Sequence, residues 1–177
     1  FSFRRDFLIS KAIDKNESDR DILFILYQWF DKNFRRLEEI ISDESKKLIE
    51  DIRLKTLYLS IASFYQYNVK PPMKACISAA NISLTDYQAI RENSIFKAFI
   101  DISFPKIETD EQYGFSRHPE FARRIFQILC PSQDEQYLIM NNVLKNCSGR
   151  DSDFVRAFFN YIYDIGYTFK VENVKAF

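Results

Sequence analysis

The adjacent prolines Pro71 and Pro72 constrain what this chain can fold into more than any other feature of it. Proline has no amide hydrogen and holds φ at about −65°, so a helix must end before the pair and a new one can begin directly after it. Upstream, Leu48, Ile49, Ile52, Leu59, Ala62 and Tyr65 recur at helical spacing and predict one helix. Downstream, a short helix should end near Ala80, with Asn81-Ile82-Ser83 as the turn. Ser83, with Asp86 three residues on, resembles a capping box in which Asp replaces the usual Glu or Gln. It predicts a third helix through Tyr87, Ile90 and Arg91 to Asn93. Residues 96–103 and 112–116 are rich in aromatic and β-branched side chains and predict two strands. Pro105 and the acidic run Glu108-Thr109-Asp110-Glu111 form the tip between them.

Three helices followed by a two-stranded hairpin is the order of a winged helix. The expected fold is mainly α: a helical segment, a winged helix with a small β-hairpin wing, then an αα-hairpin. In the first segment, 1–42, Ser18 or Asp19 is placed to cap a helix reaching about Ile41, with Ile22, Leu26, Trp29, Phe30, Phe34, Leu37 and Ile41 on one face. The winged helix occupies 43–118. In the last segment, 119–177, Pro119 suits the first turn of a helix through Phe121, Ala122, Ile125, Phe126, Ile128 and Leu129 that stops before Pro131. Residues 132–146 and 151–164 then read as two antiparallel helices joined at Ser148-Gly149, with Gly166 ending the second. Thr168 to Val171 has β-type composition and no evident pairing partner.

Composition removes several function classes. The 25 Lys and Arg balance the 25 Asp and Glu, which takes away the global electrostatic argument for nucleic acid or an anionic membrane as the main partner. No apolar run approaches the roughly 18 residues needed to span a bilayer, and the first residues lack a signal-peptide core, so a cytoplasmic location is expected. Cys76, Cys130 and Cys147 are odd in number, far apart and without a nearby histidine; they read as small buried thiols, and no metal site is expected. The chain starts at Phe1, and a piece of something longer is the expectation.

Nucleotide hydrolysis within these residues is not expected, because Gly114, Gly149 and Gly166 are isolated and no phosphate-cradling loop exists. A hydrolase triad would have to use His118, the only histidine, and no nucleophile elbow surrounds the nearby Ser116. The segment alone is therefore expected to be inert as an enzyme. Duplex DNA is an unlikely partner on charge: the third helix carries Asp86, Arg91 and Glu92, and the wing sets Lys106 against Glu108, Asp110 and Glu111. His118 stands apart. At the mouth of a helix, beside Arg117, it lies where backbone amides and the helix dipole favour an anion, although Pro119 removes one amide donor.

Three stretches resemble the winged-helix arm of STAND-class P-loop NTPases, the signal-transducing ATPases that include immune receptors and prokaryotic anti-phage sensors. Residues 57–67, LYLSIASFYQY, followed by Val69-Lys70-Pro71-Pro72 resemble the helix and proline turn that open this arm. Ile82-Ser83-Leu84-Thr85-Asp86-Tyr87 resembles the start of its third helix, and Phe115-Ser116-Arg117-His118-Pro119-Glu120-Phe121-Ala122 its strand-to-helix histidine motif. In the immune-receptor branch that motif usually reads Met-His-Asp, and Arg117 and Pro119 replace its flanks here. The resemblance covers about residues 45–165. It implies a nucleotide-operated switch in which His118, with Arg117 beside it, contacts the phosphates of bound ADP and holds the off state. The ATP-binding loop and the Mg²⁺ site would lie in an upstream NTPase domain, with a sensor array downstream in the same chain and an effector to which sensing is relayed. Full-length ATPase activity and a homo-oligomer are left open.

The main alternative is a helical protein–protein adaptor without nucleotide, docking through Trp29, Phe30 and Phe34. A winged-helix DNA-binding protein is the third reading, marked by strongly salt-dependent duplex binding.

Overall fold

The computed structural model describes residues 37–103, 111–116 and 118–164. Within them run α1 (Leu37–Ile49), α2 (Ile52–Tyr65), α3 (Met73–Ala79), α4 (Leu84–Glu92), α5 (Ser94–Phe99), β1 (Asp101–Ser103), β2 (Tyr113–Phe115), α6 (Pro119–Leu129), α7 (Gln133–Lys145), one 3-10 turn (Gly149–Asp151) and α8 (Ser152–Asp164). The protein is mainly helical with one small antiparallel sheet. It divides into two compact units, residues 1–44 and 45–177, with the division inside α1. The Trp29, Phe30 and Phe34 face, Lys106 with the wing tip, Gly166 and the 168–171 segment lie outside the described residues.

In the second unit α2 is the central element. Leu57 through Tyr65 are all buried, so this helix is covered on every side rather than along one stripe. Small residues make that possible. Ser60, Ala62 and Ser63 let neighbouring backbones approach, and the two hydroxyls donate to carbonyls of their own helix, Ser60 to Thr56 at 3.0 Å and Ser63 to Ser60 at 2.9 Å. α3, α6 and α7 pack around α2, and α8 reaches it through Phe154 and Phe158, whose rings stand edge to face on Phe64.

Two turns have left-handed asparagines. At Asn68 (φ 59°) the Val69 amide donates to Phe64 O, and at Asn81 (φ 54°) the Ile82 amide donates to Ile77 O. Each is a Schellman ending: asparagine tolerates the left-handed conformation, and the following aliphatic residue, Val69 or Ile82, is buried. These turns set the ends of α2 and α3.

The sheet completes the winged-helix pattern. β1 and β2 are antiparallel, with Asp101 opposite Phe115, Ile102 opposite Gly114 and Ser103 opposite Tyr113. The proline stretch between α2 and α3 bridges the outer side of β2 through Pro72 and Tyr113. The Gly114 amide donates to Pro71 O at 2.9 Å, and the Met73 amide to Gln112 O at 2.8 Å. Prolines have no donors of their own, so the pair serves as an edge whose carbonyl accepts.

Three element boundaries depart from the sequence reading. The single helix through residues 48–65 is two. Asp51 Oδ1 accepts from the Arg53 and Leu54 amides at 2.9 and 3.3 Å, which ends α1 and starts α2. The break shifts the helical phase, and Ile49 and Ile52, counted in the apolar stripe, are 54% and 68% exposed. By contrast, α1 runs through residues 42–43 without interruption, where the reading closed one helix and opened another. The strand expected over 96–103 is helix up to Phe99. Asn93 Oδ1 caps it by accepting from the Ile95 amide at 2.8 Å, and Phe96 and Phe99, three apart, go into the core together. That shared burial outweighs the strand preference of the rings.

Candidate functional site

The strand-to-helix junction after β2 is the best candidate. Its position is set from below. β2 lies so close on α2 that a Cβ at Gly114 would stand 2.5 Å from Met73 Sδ and 3.0 Å from Ile61 Cδ1. One residue beyond β2, Ser116 is fully buried, its hydroxyl 3.4 Å from the Tyr58 hydroxyl of α2. Tyr58 is in turn held edge to face by Phe99 at 5.8 Å. The backbone is therefore anchored just before it turns into α6.

His118 is the N-cap of α6, in extended backbone conformation, with Pro119 in the first turn as its fixed φ favours. Its Nδ1 accepts from the Glu120 amide at 3.3 Å. An accepting Nδ1 has its lone pair in use, so the ring hydrogen belongs on Nε2, which is then a donor. The amide cradle is correspondingly smaller than the sequence suggested, since Pro119 has no N–H and the Glu120 N–H is taken up by His118 itself. Arg117, the second predicted site residue, lies outside the described residues. His118 is half-buried.

Glu120 organises the first turn of α6. It accepts from Arg123 through two contacts and from Arg124 Nε at 3.0 Å. Burial alone would raise its carboxyl, but the hydrogen bonds and charges of the two arginines outweigh this and hold it below the ordinary carboxylate value. The sequence reading passed over this clamp, although Glu at i with Arg at i+3 and i+4 is legible in the sequence. It also passed over Lys70, whose Nζ sits 4.3 Å over the Phe115 ring on the wing.

The helix that a duplex reader would insert is α4. Ser83 caps it by accepting from the Asp86 amide at 3.1 Å, while its hydroxyl donates to the Asp86 carboxylate at 2.6 Å, so the box closes through the hydroxyl and not the Ser83 amide. Asp86 also pairs with Arg53 of α2, and Glu92 with Lys97 of α5, each at 3.0 Å. Arg91 lies over the Tyr87 ring at 5.8 Å. The acids of this helix are compensated from neighbouring helices, which occupies cations that phosphates would need.

The thiols are mostly as read. Cys76 and Cys130 are buried; Cys147 is half-buried. Burial pushes the Cys76 thiol well up, and burial followed by the Asp151 charge pushes Cys147 up to about 11. Among the described residues no group of His, Cys, Asp and Glu is placed to hold a metal ion, and no helix is long and apolar enough to cross a membrane. Comparison with family models, with curated proteins and with solved structures finds no match.

Proposed function

We propose that these residues form the regulatory arm of a nucleotide-operated signalling switch, with His118 as its contact to the phosphates of bound ADP. The observation that carries this reading is the N-cap of α6: an imidazole at the junction of wing and helix, with Nδ1 engaged and Nε2 carrying the hydrogen. Such a group donates to an anionic oxygen. Its anchorage through Ser116 and Tyr58 to the buried centre of α2 supports a mechanical role, because a pull on the phosphates is felt by the core of the winged helix. The wing's pairing with the Pro71-Pro72 edge and the order of the three resembling stretches support the same assignment. An upstream NTPase domain would supply the P-loop and Mg²⁺, and a downstream array would sense.

The test uses the longest polypeptide that contains this stretch. Wild type and His118→Ala are purified and denatured, and the released nucleotide is quantified. Near-stoichiometric ADP in wild type, mostly lost from a folded variant, supports the switch; no nucleotide in either overturns it.

The adaptor reading has one observation in its favour. Phe159 and Tyr163, one turn apart on α8, are 45% and 84% exposed, as docking anchors would be. A pull-down that depends on these two residues and not on nucleotide would favour it. For the DNA reading no observation of this kind stands, given the paired acids of α4.

A further inference from the structure

Serine, threonine, asparagine and aspartate are the usual helix N-caps, and none of them changes its accepting oxygen between neutral and mildly acidic solution. α6 is capped by an imidazole nitrogen. The cap exists only while Nδ1 has a free lone pair to offer the Glu120 amide. A proton on Nδ1 removes the acceptor and places a full positive charge at the positive end of the helix dipole, so it opposes the same turn twice. The Glu120 amide then lacks a replacement acceptor in its own turn, because the Pro119 side chain has none and the Glu120 carboxylate is committed to Arg123 and Arg124.

We propose that the His118 cap is a proton-sensitive joint: the neutral Nε2–H ring closes the first turn of α6, and protonation of Nδ1 opens it. Among the described residues, the ionisable groups of the first turns of α6 are Glu120, which meets His118 through its amide, and Arg123 and Arg124, which meet the Glu120 carboxylate. From α2, packed against α6, come Tyr58, which meets Ser116, and Lys55, which acts on Cys130 at the far end of the helix. The Glu120 clamp is held below the ordinary carboxylate range by Arg123 and Arg124. The consequence is local. Opening the cap frees the peptide between Ser116 and Glu120, the link from the wing to α6. The inference does not depend on the nucleotide reading, and either can fail alone.

Because His118 is the only histidine, labelling histidine with ¹⁵N reports this one ring in the intact chain. At neutral pH the expected spectrum has an unprotonated, hydrogen-bonded Nδ1 and a protonated Nε2. On acidification, the protection of the Glu120 amide against hydrogen exchange, corrected for intrinsic rate, should fall about tenfold in step with protonation of the ring. His118→Asn and His118→Asp, which cap without an imidazole, should keep that protection through the same pH range. An Nδ1–H tautomer at neutral pH overturns the proposal without any variant. So does ring protonation that leaves Glu120 protection unchanged, or the same loss of protection in the Asn and Asp variants.

Discussion

Replacing Phe158 by alanine tests whether the C-terminal helix belongs to the same cooperative body as the winged helix. Phe158 is fully buried, and its ring stands edge to face on Phe64 of α2, centroids 4.7 Å apart at 72°. Phe64 receives Phe154 in the same way at 5.0 Å, so two rings of α8 hold one ring of α2. Deleting a buried phenyl group costs about 3–5 kcal/mol, the lost transfer energy plus the cavity left behind, and removes a ring pair worth about 1 kcal/mol of that. Against a total of roughly 5–15 kcal/mol this is a large share. With an m-value of about 2 kcal/mol/M in urea, the unfolding midpoint should drop by about 1.5–2.5 M. Phe158→Leu keeps most of the volume and should lose about 1–2 kcal/mol. The assay is urea unfolding by circular dichroism together with native-state hydrogen exchange. If α8 and α2 form one body, amides of both lose protection together. An unchanged midpoint, with exchange accelerated in α8 alone, would refute the claim that these rings tie the helix into the core.

Gly114→Ala should destabilise by about 1–3 kcal/mol, since a methyl there meets Met73 and Ile61 inside contact distance; thermal unfolding measures it, and a neutral result would mean that Met73 swings clear. The Tyr87 hydroxyl is buried with no hydrogen-bond partner among the described residues, and burial pushes its pKa up, against ionisation. Tyr87→Phe is therefore expected to be neutral or to stabilise by up to about 1 kcal/mol in the same assay. Cys147, pushed up to about 11, should alkylate slowly at pH 7.5 and much faster near pH 10, while Cys76 stays unmodified until unfolding; mass spectrometry of peptides reads both. Glu120 has a folded value below its unfolded one, so its contribution to stability is present above the ordinary carboxylate range and is lost as pH falls through the lowered value. Wild type should be more stable than Glu120→Gln at pH 7, and the two melting curves should converge in acid.

The parts of the fold legible in the sequence are those where backbone chemistry acts locally. Pro71-Pro72 opened a helix, Ser83 and Asp86 began one, and Pro119 entered one, each because a missing donor or an accepting side chain fixes the backbone within a few residues, whereas the end of α2 is set by the Asn68 turn before the prolines. The failures lie where two local signals competed. Ile49 and Ile52 continued an apolar period that Asp51 interrupts, and a cap with two amides outweighs a pattern that has no backbone preference of its own. Phe96 and Phe99 look like strand residues singly, and only their joint burial, Phe96 against Tyr87 of α4 and Phe99 against Tyr58 of α2, makes a turn of helix the better solution. The bridge between the proline stretch and β2 was invisible for a different reason, since it is made by the Pro71 carbonyl and the Met73 amide and leaves no strand-like composition to read.

The site was legible in position but not in chemistry. A lone histidine between a strand and a proline marks a helix mouth, and the sequence placed His118 there. What it could not give is which nitrogen faces the helix, and that decides what the residue can do. With Nδ1 turned inward onto the Glu120 amide, the neutral ring is both the cap and a donor through Nε2–H. The two roles are then thermodynamically linked: an acceptor that binds Nε2–H favours this tautomer over the Nδ1–H one, and this tautomer favours the first turn of α6. A neutral acceptor at this ring would stabilise the helix mouth without touching its backbone, whereas a phosphate oxygen, which favours a second proton on the ring, would oppose the cap. Two residues before His118, Ser116 meets Tyr58 of the most buried helix of the unit, so either change at the ring would be felt next to the core.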